Sequence, residues 1–378
     1  MTITGDWRSR KILDFRTISS PWRIGWNFLK HNFVQKFTKP FLPRAMCVYV
    51  TYRCNMRCRM CGIWKKNTSR KPVDELSIPE FDAIVSDPLF RKLEYVNING
   101  GEPNLRDDLL ELVELFIRKF KHLRTITINS NGLPSERTVS NTEQISRLAR
   151  EKGIRFSISV SLHKVGPGYD EIAGINNAYA SVSQTLRALK DLRARNRFYL
   201  GVNCVITNLN VFDLGRLLEW SDREKVPVNF TFGEVRERFN NMEMKDNIEV
   251  QGEGRDILIR FFRELGGKKS LFPQHAMRYR ELAEMLEFNK KRTLSCYYAM
   301  GGLILGSEGS LYYCKKSKAI GNCRERSAYE VYYDKKNLKY RKDYLLDTAC
   351  RRCPPNTFNR FELEKDLFNY AKFVLFQG

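Results

Sequence analysis

The chain has 378 residues, 42% of them hydrophobic and 12% aromatic, which suits a large domain with an appendage and excludes a disordered chain. No apolar run approaches the ~20 residues of a spanning helix, and Met1-Thr-Ile-Thr-Gly-Asp6 lacks the basic-then-apolar order of a secretory signal, so the sequence reads as cytosolic. The net charge of +22 is segregated: residues 1–70 carry fifteen Lys/Arg against two acids, and 290–353 fifteen against six. Nucleic acid is one partner for such a surface. The same segments hold most of the ten cysteines, and positive charge also stabilises thiolates.

In chain order, residues 1–45 come first. Trp22, Trp26, Leu29, Phe33 and Phe37 share one helical face, with Arg23, Lys30 and Lys36 elsewhere around the axis. Such a helix either lies peripherally in a membrane interface or caps the domain that follows. Residues 46–235 then alternate strands (46–52, 93–99, 125–129, 155–162, 199–206, 228–233) with helices (near 78–87, 107–120, 141–152, 177–195, 211–224). Ser77-Ile-Pro-Glu80 opens the first of these helices as a capping box.

One strand parity is apolar (Val48, Val50, Val96, Ile98, Ile126, Ile128), and the other is polar (Asn97, Asn99, Asn129, Ser157, Ser159, Ser161, Asn203, Asn229). A doubly covered sheet is apolar on both faces. The pattern predicts an α/β fold, a partial (β/α)6 TIM-like barrel with a polar lumen and its chemistry at the C-terminal strand ends. A helical connector follows over 236–290. A cysteine-bearing α+β segment over 291–355 opens with a hairpin turning at Gly306–Gly309, and 356–378 form a last helix.

Cys54-x3-Cys58-x2-Cys61 follows the first strand directly. Three thiolates reach three corners of a cubane and leave one iron open, whereas structural zinc takes four closed ligands. With Asn99-Gly100-Gly101-Glu102-Pro103, Asn129-Ser-Asn-Gly132 and Ser159-Val-Ser161 at successive strand ends, the chain resembles the radical S-adenosylmethionine (AdoMet) superfamily over residues 44–235. The residue before the last cysteine, usually aromatic there, is Met60. The resemblance implies a [4Fe–4S] cluster on Cys54, Cys58 and Cys61, with AdoMet bound by residues 99–103, Asn129, Ser159 and Ser161. It also implies an external reductant such as flavodoxin or ferredoxin.

Cys296, Cys314, Cys350 and Cys353 form a second set, which resembles the SPASM/twitch extensions that carry auxiliary [4Fe–4S] clusters. A zinc ribbon is the competing reading. Cys323 is left over as ligand, hydrogen donor or buried thiol, and His163 sits at a lumen-facing strand end, either as a satisfied structural histidine or as the other candidate catalytic group. Cys47 and Cys204 read as core residues. A lumen of Asn, Ser and Thr, poor in charge, suits a neutral hydroxylated substrate such as a sugar or aminocyclitol. The expected reaction is a net oxidation. The alternatives are peptide maturation with a separate recognition protein and, in another class, a zinc-containing nucleic-acid binder.

Overall fold

A computed structural model of the protein describes Leu29 and residues 39–68, 74–268 and 273–356. The basic aromatic face over 22–37 and the predicted last helix lie outside the described residues, Leu29 and Asn356 apart. Strands β1 (Ala45–Tyr49), β2 (Tyr95–Asn99), β3 (Thr125–Ser130), β4 (Arg155–Ser161), β5 (Tyr199–Ile206) and β6 (Val228–Phe232) pair in parallel in chain order. Helices Ile78–Val85, Leu109–Lys119, Ser135–Glu151, Ala178–Asn196 and Leu214–Glu224 cover the outer face. Met46, Val48, Val96, Ile98, Ile126, Ile158 and Val202 are buried against them. The alternation therefore sorts the strands as the parity predicts, with the polar residues on the opposite, half-buried face.

The helix expected near 141–152 begins at Ser135. Its first turns bury Thr138 and Thr142 rather than apolar residues, and the Thr142 hydroxyl donates to Thr138 O at 2.7 Å. Hydrophobic periodicity cannot register a packing face built from threonine. The capping box at Ser77 forms, with Glu80 accepting from the Ser77 N–H at 2.8 Å.

Beyond the barrel, helices Glu253–Gly267 and Pro273–Phe288 pack on each other. The hairpin β7 (Gly302–Leu305) and β8 (Ser310–Tyr312) then returns to the sheet, and β9 (Gly321–Asn322) closes its edge. β7 pairs in parallel with β1, while β8 and β9 are antiparallel, so one nine-stranded sheet runs from β6 to β9. Among the described residues no helix is long and apolar enough to cross a membrane.

Candidate active site

The loop after β1 carries Cys54, Cys58 and Cys61 and is held from three sides. Gly101 N donates to Thr51 O (2.8 Å) and Glu102 N to Arg53 O (2.7 Å). Arg57 N and Arg59 N donate to Ala173 O and Ile172 O, both at 2.9 Å. Gly62 N donates to Phe239 O (3.0 Å), and Asn241 Nδ2 to Met60 O (3.0 Å). A Cβ on Gly62 would lie 1.9 Å from Asn240 O, and one on Gly101 2.1 Å from Arg53 O, so neither position admits a side chain. The Gly101 and Glu102 N–H groups are thus spent on the protein's own backbone.

The Glu102 side chain is also turned inward. Its fully buried carboxylate accepts from Asn104 N (3.0 Å), Asn104 Nδ2 (2.8 Å), Ser130 Oγ (2.9 Å) and Asn131 N (2.5 Å). Burial pushes its carboxyl up to about 7 against the opposing pull of those donors. Glu102 therefore clamps the β2 loop to the β3 loop. The clamp fixes Asn131, whose Nδ2 donates to Asn55 Oδ1 (2.7 Å) and lies 3.6 Å from Cys54 Sγ. Sequence reading passed over Asn131; its place two residues after Asn129 was the signal. Burial holds the Cys54 thiol at about 11 and raises Cys58 and Cys61 also, so binding a cation there would release protons.

Across the lumen the strands carry a chain of amides. Asn129 Nδ2 donates to Asn97 Oδ1 and Asn99 Oδ1, both at 2.8 Å, and Asn203 Nδ2 to Asn129 Oδ1 at 2.7 Å. Asn229 Nδ2 continues to Asn203 Oδ1 (3.2 Å), and Asn99 Nδ2 reaches Cys47 Sγ (3.2 Å). Cys47 is buried, but on this polar face and not in the helix-side core. Cys204 does lie in that core. Ser159 and Ser161 stand half-buried on the lumen face beside the chain.

The second set of thiols converges. Cys296, Cys314, Cys350 and Cys353 line one cavity of about 240 Å³, with Tyr298, Tyr313, Lys315 and Arg341. All four are free thiols, and burial pushes Cys314 up to about 11 and Cys350 to about 12. Among the described residues no three Cys, His or acidic side chains are placed to share a single metal ion. Four thiols round a common space suit a multi-iron group better than one zinc. A buried cluster of Tyr49, Tyr52, Tyr297, Tyr298 and Tyr312 connects the sites, touching Cys61 on one side and Cys296 and Cys314 on the other.

Cys323, His163 and the charge of the lumen complete the description of the site. Cys323 does not line the cavity; its N–H is bonded to Gly309 O and burial pushes its thiol up to about 12. His163 is buried, its Nδ1 accepts from Val205 N at 3.2 Å, and burial pushes its imidazole down to about 4. It braces β4 against β5. Nor is the lumen poor in charge: Arg236, Arg238 and Lys315 reach it from the loops after β6 and β8, beyond what strand parity could show.

The family model described as the Radical SAM superfamily matches residues 48–220. The chain is 25% identical over 336 residues to the Fe-coproporphyrin III synthase of Methanosarcina barkeri, covering 80% of this chain and 79% of that protein. It is 27% identical over 192 residues to the mycofactocin maturase MftC of Mycobacterium ulcerans, but spans only 47% of that protein and 50% of itself. In fold it is similar to Streptococcus suis SuiB bound to S-adenosylmethionine, with a TM-score of 0.57 at 15% identity, covering 90% of this chain and 79% of SuiB.

Proposed function

We propose that this chain, whose residues 48–220 match the Radical SAM superfamily, is a radical SAM enzyme of the SPASM/twitch kind that removes a hydrogen atom from a hydroxyl-bearing small molecule in a net two-electron oxidation. The observation that supports this reading is the pair of thiol sites, one of three cysteines on a pinned loop and one of four around a common cavity. Cys54, Cys58 and Cys61 would hold a [4Fe–4S] cluster which, with AdoMet bound, supplies a 5′-deoxyadenosyl radical. Cys296, Cys314, Cys350 and Cys353 would hold a second cluster with no open iron, suited to accepting an electron.

The chain's own residues supply placement. Asn131 orients Cys54, and Glu102 holds Asn131. Asn129, Ser159 and Ser161 present amide and hydroxyl groups to whatever fills the lumen, and the amide chain through Asn97, Asn99, Asn203 and Asn229 keeps that floor rigid. Oxidation of a secondary alcohol balances when the carbon loses one hydrogen atom, the oxygen one proton and the resulting radical one electron. A peptide substrate presented by a separate protein is the second reading, favoured by the likeness to the maturase MftC.

Iron decides first. Anaerobically prepared protein should be brown and carry about eight irons, four per cubane. Replacing Cys54, Cys58 and Cys61 by Ala should remove about half of that iron and all AdoMet cleavage. A colourless protein with stoichiometric zinc and no iron would end the proposal and favour the nucleic-acid reading.

A further inference from the structure

Arg238 carries the only guanidinium among the described residues whose three nitrogens are all buried without a hydrogen-bond partner. Its contacts are the rings of Tyr49 (5.1 Å), Phe239 (5.3 Å) and Tyr312 (5.1 Å). Ring faces attract a cation but return far less than the water and acceptors it has given up. Arg236 and Lys315 lie close by, and the nearby carboxylate Glu234 is committed to Arg236 and Lys316.

Arg236 and Lys315 also lie near the second thiol set, through Cys353, as well as near Tyr49 and Cys47 respectively. Arg238 is surrounded by Tyr49, Cys47, Tyr298 and Tyr312. Tyr49 ends β1 opposite Asn99, and Phe239 backs Gly62, so this guanidinium lies between the three-cysteine loop and the β7–β8 hairpin. That is where a substrate of the proposed reaction would sit.

We infer that Arg238 receives an acidic group of the substrate, a carboxylate or phosphate, so that the molecule oxidised is hydroxylated and anionic. The inference rests on the radical reading above and narrows its substrate class. A bidentate oxyanion supplies the acceptors that the rings cannot, and fixes the far end of the molecule while its hydroxyl-bearing carbon meets the amide floor.

The test uses anaerobically reconstituted holoenzyme with AdoMet bound. Succinate and glycerol 2-phosphate serve as anionic probes and glycerol as the neutral one, all by equilibrium dialysis. Both anions should bind, glycerol should not displace them, and Arg238→Gln should weaken them at least tenfold, with Arg238→Lys in between. Equal affinity in wild type and Arg238→Gln, or no anion binding by wild type, overturns the inference. So does a variant that weakens AdoMet but not decarboxylated AdoMet, since Arg238 would then serve the cofactor's own carboxylate. Loss of iron in Arg238→Gln but not in Arg238→Lys, without any anion binding, would make it a counter-charge and likewise overturn it. Iron content and AdoMet cleavage by the wild type test the underlying reading separately.

Discussion

Glu102 offers the sharpest quantitative test, because two opposing effects meet on one carboxylate. Burial moves its carboxyl up from 4.5 to about 7 although four donors favour the ionised form. Between those values the folded chain keeps a proton that the unfolded chain has released, so stability falls as pH rises through the window. Each tenfold change in proton affinity is worth about 1.4 kcal/mol. Glu102 should therefore cost the fold about 3 kcal/mol at pH 8 that it does not cost at pH 4.5. Glu102→Gln cannot titrate, and subtracting its stability from that of the wild type cancels every other group common to both. Urea unfolding of the reduced, cluster-free chains at pH 5 and pH 8 reads this difference. The wild type should lose about 2.5 kcal/mol relative to the variant over that interval. A difference that stays constant would mean that the four donors fully offset burial and that the carboxylate is ionised throughout.

Three further outcomes follow from particular contacts. Ala at both Cys350 and Cys353 should spare 5′-deoxyadenosine formation while suppressing oxidised product; loss of both activities together would show a purely structural centre. Gly62→Ala should push residues 239–241 off the cysteine loop, at a cost of about 3 kcal/mol, and lower iron by about half while the second centre stays loaded. His163→Phe should orphan the Val205 N–H and cost about 1–3 kcal/mol, yet leave the pH profile of turnover unmoved; a lost limb in that profile would restore His163 as a catalytic group.

Much of the scaffold is legible in the sequence because strand parity is a local property. Val96/Ile98 against Asn97/Asn99 assigns faces without knowledge of the neighbouring strands, and the structure follows it. The glycine at 101 and the three spaced cysteines are legible for the same reason, as short motifs carrying their own chemistry. What escaped depends on contacts between distant segments. Arg238 meets Tyr49 across half of the chain and Tyr312 across the helical connector, and Asn131 meets Asn55 across a barrel strand. His163 was placed on the lumen from its position at a strand end, but the strand had already stopped at Ser161. Cys323 and Cys314 look alike in sequence, and only the turn back through β9 separates them.

The pairing of β1 with β7 bears on how this protein tolerates change. β1 leads into the three-cysteine loop, and β7 leads through its hairpin to Cys314, with Ala45 opposite Gly302 and Val48 opposite Leu305. The spacing between the two thiol sites is thus gauged by the register of one strand pair, and does not depend on the length of chain that joins them. Beyond residues 236–241, which pin the cysteine loop, the turns of the connector can lengthen or shorten like slack in a cable while both ends stay bolted to one frame. A one-residue slip of β7 along β1 would do the opposite: it would displace the second site by about 3.3 Å with no change in the connector.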